Sequence, residues 1–131
     1  MKASELRIGN LLEFSNGIQP TKIVTVGRRF FSSAAIEKED GDFEITPYYK
    51  AILLTEDWLL KLGFKRNDNT KVSDSFYWIM VGGSEFNINP DNGVVWINRG
   101  ENIFNNPCLI EYVHQLQNIY YALTGVELSV S

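Results

Sequence analysis

An α+β fold is predicted by three observations. The first third of the chain is a run of β-forming segments broken by Asn16-Gly17 and Asp40-Gly41, dipeptides suited to hairpin turns. Residues 76 to 98 contain three short apolar-rich stretches separated by turn sequences, the spacing of an antiparallel meander. The stretch from Leu109 to Leu123 has a helical apolar period.

In chain order, Leu11 to Phe14 and Ile18 to Val26 form a predicted hairpin around Ser15-Asn16-Gly17, with Pro20 confined to a sheet edge or bulge because it lacks a ladder donor. Phe31 to Ile36 and Phe43 to Tyr48 form a second pair around the charged turn EKEDGD. Together they describe antiparallel β hairpins forming a small twisted sheet or half-barrel. TEDWLLKLGF, residues 55 to 64, is a short helix: Thr55 caps it, Glu56 and Asp57 favour the positive end of its dipole, and Gly63 suits the left-handed C′ position with Phe64 following. The polar KRNDNTKVSD reads as an exposed loop.

Strands Phe76 to Val81, Glu85 to Asn89 and Val94 to Asn98 follow, joined by Gly82-Gly83-Ser84 and by Pro90 to Gly93. The middle strand alternates, with Phe86 and Ile88 on one face and Glu85, Asn87 and Asn89 on the other, which predicts one covered face and one wet face. The cover is a long carboxy-terminal helix. Asn106-Pro107 supplies a cap and a proline at N1, and Gly125 the C′ position, so about 18 residues would span roughly 27 Å. The chain reads as a single domain, 1–131, with a β-rich amino-terminal subregion, 1–54, packed on an α+β part, 55–131.

Composition fits a folded protein: 131 residues, 44% hydrophobic and 13% aromatic, with a net charge of -4. Residues 1–54 carry seven basic and seven acidic groups and residues 55–131 five and nine, so the second half holds all the excess negative charge. This argues against duplex nucleic acid as a partner. The basic groups Arg28-Arg29 and Lys65-Arg66 with Lys71 each read as solvated turns, not phosphate sites. There is no apolar run long enough for a membrane span, and MKASELRIGN lacks a signal-peptide pattern, so the expectation is a soluble, cytoplasmic protein without a membrane partner. The one cysteine, Cys108, and one histidine, His114, imply no disulfide, structural zinc or other metal site, and no cofactor motif is present. Gly82-Gly83-Ser84 lacks the lysine of a phosphate loop, and Asp91-Asn92-Gly93 lacks the ligand pattern of a calcium loop.

On the expected helix, Leu109, Tyr112, Val113, Leu116, Ile119, Tyr120 and Leu123 form a core face, while Ile110, His114, Gln117 and Tyr121 form a second stripe. That stripe either packs internally, meets a partner protein or second copy, or lines a ligand pocket. General-base catalysis by His114 needs a nucleophile and an orienting carboxylate, and nothing adjacent supplies both. Cys108 lies six residues away, about 9 Å in helical rise, too far for a dyad. Tyr77, Trp78 and Trp96 offer rings that stack bases or a purine, although at least half of these aromatics belong to the core.

The segments LRIGNLLEF, ILLTEDWLLKLGF and YVHQLQNIYYALTGVEL also carry a resemblance. Nearly the whole chain resembles a group of small uncharacterised proteins encoded by gut bacteria of the Bacteroidetes kind, their prophages and their bacteriophages. The matching residues are Arg7, Gly9 and Asn10, then Leu54 to Glu56 with Gly63-Phe64, then His114 to Asn118 with Gly125. Val126 before Glu127 departs from the acidic residue the group often carries there. The resemblance implies a phage or mobile-element setting and no mechanism. Of its positions, Arg7, Asn10, His114, Gln117 and Asn118 have side chains able to carry specificity; with Tyr121 they are the candidate binding residues. The functional expectation is a non-enzymatic interaction module that binds a protein partner or itself. The alternative is a small-ligand, nucleotide-like binder, and a less favoured third is a small hydrolase using His114.

Overall fold

The computed structural model describes residues 1–67, 76–99, 102–106 and 109–130. It is an α+β fold made of antiparallel sheets, short helices and a carboxy-terminal helix. Two compact units are present, one of Met1–Leu53 with Tyr112–Asn118, the other of Leu54–Glu111 with Ile119–Ser131.

In the first unit a single 3-10 turn, Ala3–Glu5, precedes β1 (Leu11–Phe14). β1 is the centre of a three-stranded sheet in the order β2-β1-β5, with β2 at Lys22–Thr25 and β5 at Tyr49–Ala51. Gly9, at φ +99°, makes the bend before β1 and its amide donates to Val26. The first hairpin is therefore real, but its connection is longer than a two-residue turn. The Asn16 side chain accepts from the amides of Ile18 and Gln19, and β2 starts only after Pro20, at the sheet edge. The expected second pair is altered. Phe30–Ala34 is a short helix, α1, and β3 (Ala35–Glu37) pairs with β4 (Phe43–Ile45) in a separate two-stranded sheet. Phe31 to Ala34 had a strand's composition, yet packing overrode that weak preference: Phe30 and Phe31 pack against the core of Leu6, Leu12, Val26 and Ile45.

In the second unit the short helix α2 is Glu56–Lys61. Thr55 Oγ1 accepts from the Trp58 amide at 3.4 Å. Gly63 sits at φ +94°, and the amides of Gly63 and Phe64 donate to the carbonyls of Leu60 and Leu59, the two bonds of a Schellman ending. The meander has five strands, not three, in the order β10-β9-β8-β7-β6. β7 (Phe76–Val81), β8 (Ser84–Asn89) and β9 (Val94–Arg99) match expectation, joined by a Gly82-Gly83 turn with both φ angles positive and by a turn ending at Gly93. The additions are β6 (Lys65–Asn67) and β10 (Asn102–Asn106). Lys65 and Arg66 are thus on an edge strand, not a turn; the remainder of the expected loop, with Lys71, lies outside the described residues.

The covered face of this sheet is as expected. Phe86 and Ile88 are buried, and Phe86, Phe64 and Tyr120 form a ring cluster with centroids 5.0–6.5 Å apart. The opposite face is not wet, because Asn87 and Asn89 are buried as well. Asn87 pairs in register with both Trp78 and Trp96, whose large half-buried rings flank its short side chain. Tyr77 is core; its phenol is pushed up to about 12 by burial and by a hydrogen bond to Glu56.

The last helix, α3, is Val113–Thr124, ending before Gly125 at φ +73°. Its start differs from the expected Asn106-Pro107 signal. Asn106 closes β10, Pro107 and Cys108 lie outside the described residues, and Leu109 and Ile110 precede the helix. Ile110 donates from its amide to Gly93, and Leu109 is 62% exposed, so neither belongs to the helical faces assigned to them.

Candidate functional site

The amino-terminal segment and the first half of α3 meet within the first unit through side-chain amides. Gln117 is buried; its Oε1 accepts from the Leu11 amide at 2.9 Å and its Nε2 donates to the Gly9 carbonyl at 3.1 Å. One side chain thus serves both polar groups of the chain as it enters β1. Asn118 Oδ1 accepts from Arg7 Nε at 2.9 Å and from Asn10 Nδ2 at 2.8 Å, while its Nδ2 donates to the Glu5 carbonyl. Asn10 Oδ1 in turn accepts from the Arg7 amide at 2.7 Å, and Arg7 Nη2 reaches the Gln117 carbonyl at 3.2 Å. Four of the six candidate residues, Arg7, Asn10, Gln117 and Asn118, are therefore brought together. Their bonds are mutual and internal.

His114 is separate from that network. It is the second residue of α3 and only 3% exposed. Its ring stacks on Tyr112 at 5.9 Å with an interplanar angle of 14°. Nδ1 is buried with no hydrogen-bond partner. Burial holds the imidazole below its usual value of 6.5; the Glu5 carboxylate acts the other way, and the amino-terminal ammonium adds slightly to the lowering. The group is neutral at pH 7.

A partly open pocket of about 440 Å³ lies beside this imidazole, lined by Glu5, Tyr49, Lys50, Tyr112, His114 and Gln115 among others. That volume is in the range of small-molecule sites. Tyr49 is held by ring contacts with Phe14 at 5.0 Å and Phe30 at 4.8 Å. Gln115 Oε1 accepts from the Tyr112 amide at 3.1 Å, one half of a capping box, and the Val113 amide donates to the Ile52 carbonyl. These bonds fix the first turn of α3 at the pocket wall.

Of the candidate residues only His114 reaches this pocket; Arg7 does not line it, and Tyr121 is exposed in the second unit. Glu5, Tyr49, Lys50 and Gln115 were not singled out from sequence, and Tyr112 was expected on the core face of the helix. Gln115 had a detectable signal, since glutamine at N3 marks a helix start at Tyr112-Val113. The others are ordinary strand and turn residues. Among the described residues the lining includes no serine, threonine or cysteine, and no cluster of three or more metal-binding side chains occurs. No helix among them is long and apolar enough to cross a membrane. Comparison with protein-family models, curated proteins and solved structures gave no match to this chain.

Proposed function

We propose that the protein is a non-enzymatic binding module, and that the pocket at His114 is where it binds a small ligand. The observation behind this reading is a partly open pocket of about 440 Å³, large enough for a small molecule, walled by His114 together with Glu5, Tyr49, Lys50, Tyr112 and Gln115. Hydrolysis is the weaker reading, because the described lining residues offer His114 no serine, threonine or cysteine nucleophile to activate. The setting we propose is the cytoplasm of a bacterium carrying phage or mobile-element genes.

A second reading, a protein partner or homodimer, is favoured by one observation. The first unit exposes Ile18 (89%), Ile23, Ile36, Phe43 and Tyr48, several of them on short strands. Sedimentation of the purified protein separates the two: a dimer at micromolar concentration supports self-association, and a monomer removes it. The ligand reading is tested by adding a library of small polar molecules to isotope-labelled protein and mapping the shifts. Saturable shifts confined to Tyr49, Lys50, Tyr112, His114 and Gln115 are expected. A library that moves none of these residues overturns the reading.

A further inference from the structure

We infer that two copies of this chain pair edge to edge through β2, antiparallel about a twofold axis at Ile23. The proposal deepens the second reading, self-association, and rests on it. β2 is an outer strand in the order β2-β1-β5, and two bonds show which of its backbone groups face outward. The Val26 amide donates to the Asn10 carbonyl, one step beyond the β1–β2 register, so Val26 faces β1. The Ser15 amide donates to the Tyr48 carbonyl and so faces β5, which turns Leu12 and Phe14 toward β2. Both bonds give the same alternation: Lys22 and Val24 bond inward to β1, while Thr21, Ile23 and Thr25 turn their N–H and C=O groups outward. No described residue bonds to those outward groups. All three side chains are exposed, Ile23 at 48%. The chain leaving β5, at the opposite edge, is already paired: the Ile52 carbonyl accepts from the Val113 amide and Leu53 bridges Tyr112.

The limits of the open edge select a second copy as its occupant. At one end the Gln19 amide donates to Asn16 Oδ1, and at the other the Gly27 carbonyl accepts from the Phe30 amide. Ile23 lies midway between Gln19 and Gly27. A second β2 laid antiparallel with Ile23 opposite Ile23 therefore uses the open groups of both chains and ends where both are closed. In that register Thr21 meets Thr25 of the second copy and Ile23 meets Ile23, β-branched and threonine pairs that favour a ladder. A lysine on an edge strand ordinarily discourages pairing, but Lys22 here falls opposite Val24, not opposite the other lysine. No like charges face each other across the join.

The test uses the full chain, in a sample mixed from isotope-labelled and unlabelled protein. Lys22 and Val24 form a pair without mutual hydrogen bonds in the new ladder, the kind whose Cα atoms come within about 4.5 Å. An Hα–Hα contact between Lys22 of one copy and Val24 of the other is expected, and one extended strand cannot make it within itself. The Ile23 and Thr25 amides should gain protection from hydrogen exchange as concentration rises, while the Val24 amide is protected throughout. I23K puts like charges face to face on an exposed position and should weaken the dimer at least about threefold, with the amide spectrum still that of the folded chain. I36K, at an equally exposed apolar position on β3, should leave the dimer unchanged. A dimer without the Lys22–Val24 contact, or one that I36K weakens as much as I23K, overturns the β2 pairing while self-association stands. A protein that sediments as a monomer overturns both.

Discussion

At position 117 one glutamine side chain closes two backbone bonds, to the Leu11 amide and the Gly9 carbonyl. A leucine there has similar bulk but leaves the buried Leu11 amide and the part-buried Gly9 carbonyl without the glutamine's bonds. Q117L is expected to cost about 3 kcal/mol, since each orphaned group costs roughly 1–3 kcal/mol; the urea midpoint of unfolding measures it. The sequence picked out Arg7, Asn10, Gln117 and Asn118 as polar residues with something to do, but composition cannot distinguish an amide that binds a ligand from one that binds its own backbone. His114 poses a different test. Its folded form holds the imidazole below 6.5, so the unfolded chain takes up the proton first. The stability it contributes is present above the unfolded value and is lost as pH falls through that value toward the folded one. The unfolding midpoint should therefore decline as pH falls through the unfolded value of 6.5, and H114Q should flatten that decline. A slope unchanged by H114Q would mean that the imidazole is not desolvated.

Helix ends and turns were legible wherever one residue type does a job no other can do. Gly63 and Gly125 stop helices, and Gly82-Gly83 turns β7 into β8. Two of the glycines separate conformation from space. A Cβ at Gly63 would meet only Ile79 Cδ1, at an ordinary 3.5 Å, so G63A carries backbone strain alone, about 1 kcal/mol. A Cβ at Gly93 would lie 2.6 Å from the Ile110 nitrogen and 2.7 Å from its oxygen, so G93A must also move backbone. Its cost should be at least about 3 kcal/mol, and thermal unfolding of the two variants gives the order. What escaped the sequence has equally physical causes. The triplet Lys65-Arg66-Asn67 is a strand because β7 offers it a ladder, and no side-chain pattern announces that. Asn106-Pro107 has the form of a helix start, but Asn106 pairs with Val95 at the end of β10.

Across the whole molecule, both units are discontinuous in sequence, and the boundary at Leu53 does not cut the chain into two self-sufficient pieces. The first unit needs Tyr112–Asn118, whose Gln117 and Asn118 satisfy the chain around Gly9 and Asn10. A fragment of residues 1–53 is therefore expected to show the collapsed amide dispersion of an unfolded chain; a well-dispersed spectrum would show that the amide network is dispensable. The α+β class, the meander and the short capped helix were readable because they follow from local periodicity and turn chemistry. The pocket was not, because it joins Glu5, Lys50 and His114 from three distant stretches with no shared motif. The central claim is that this pocket is the binding site, and the chain's single histidine makes it directly observable. The decisive measurement is the ring spectrum of His114 as small molecules are added to the intact protein. Saturable movement of the ring signals together with the Lys50 and Gln115 amides is the expected result, and a ligand that binds while the ring signals stay fixed would contradict it.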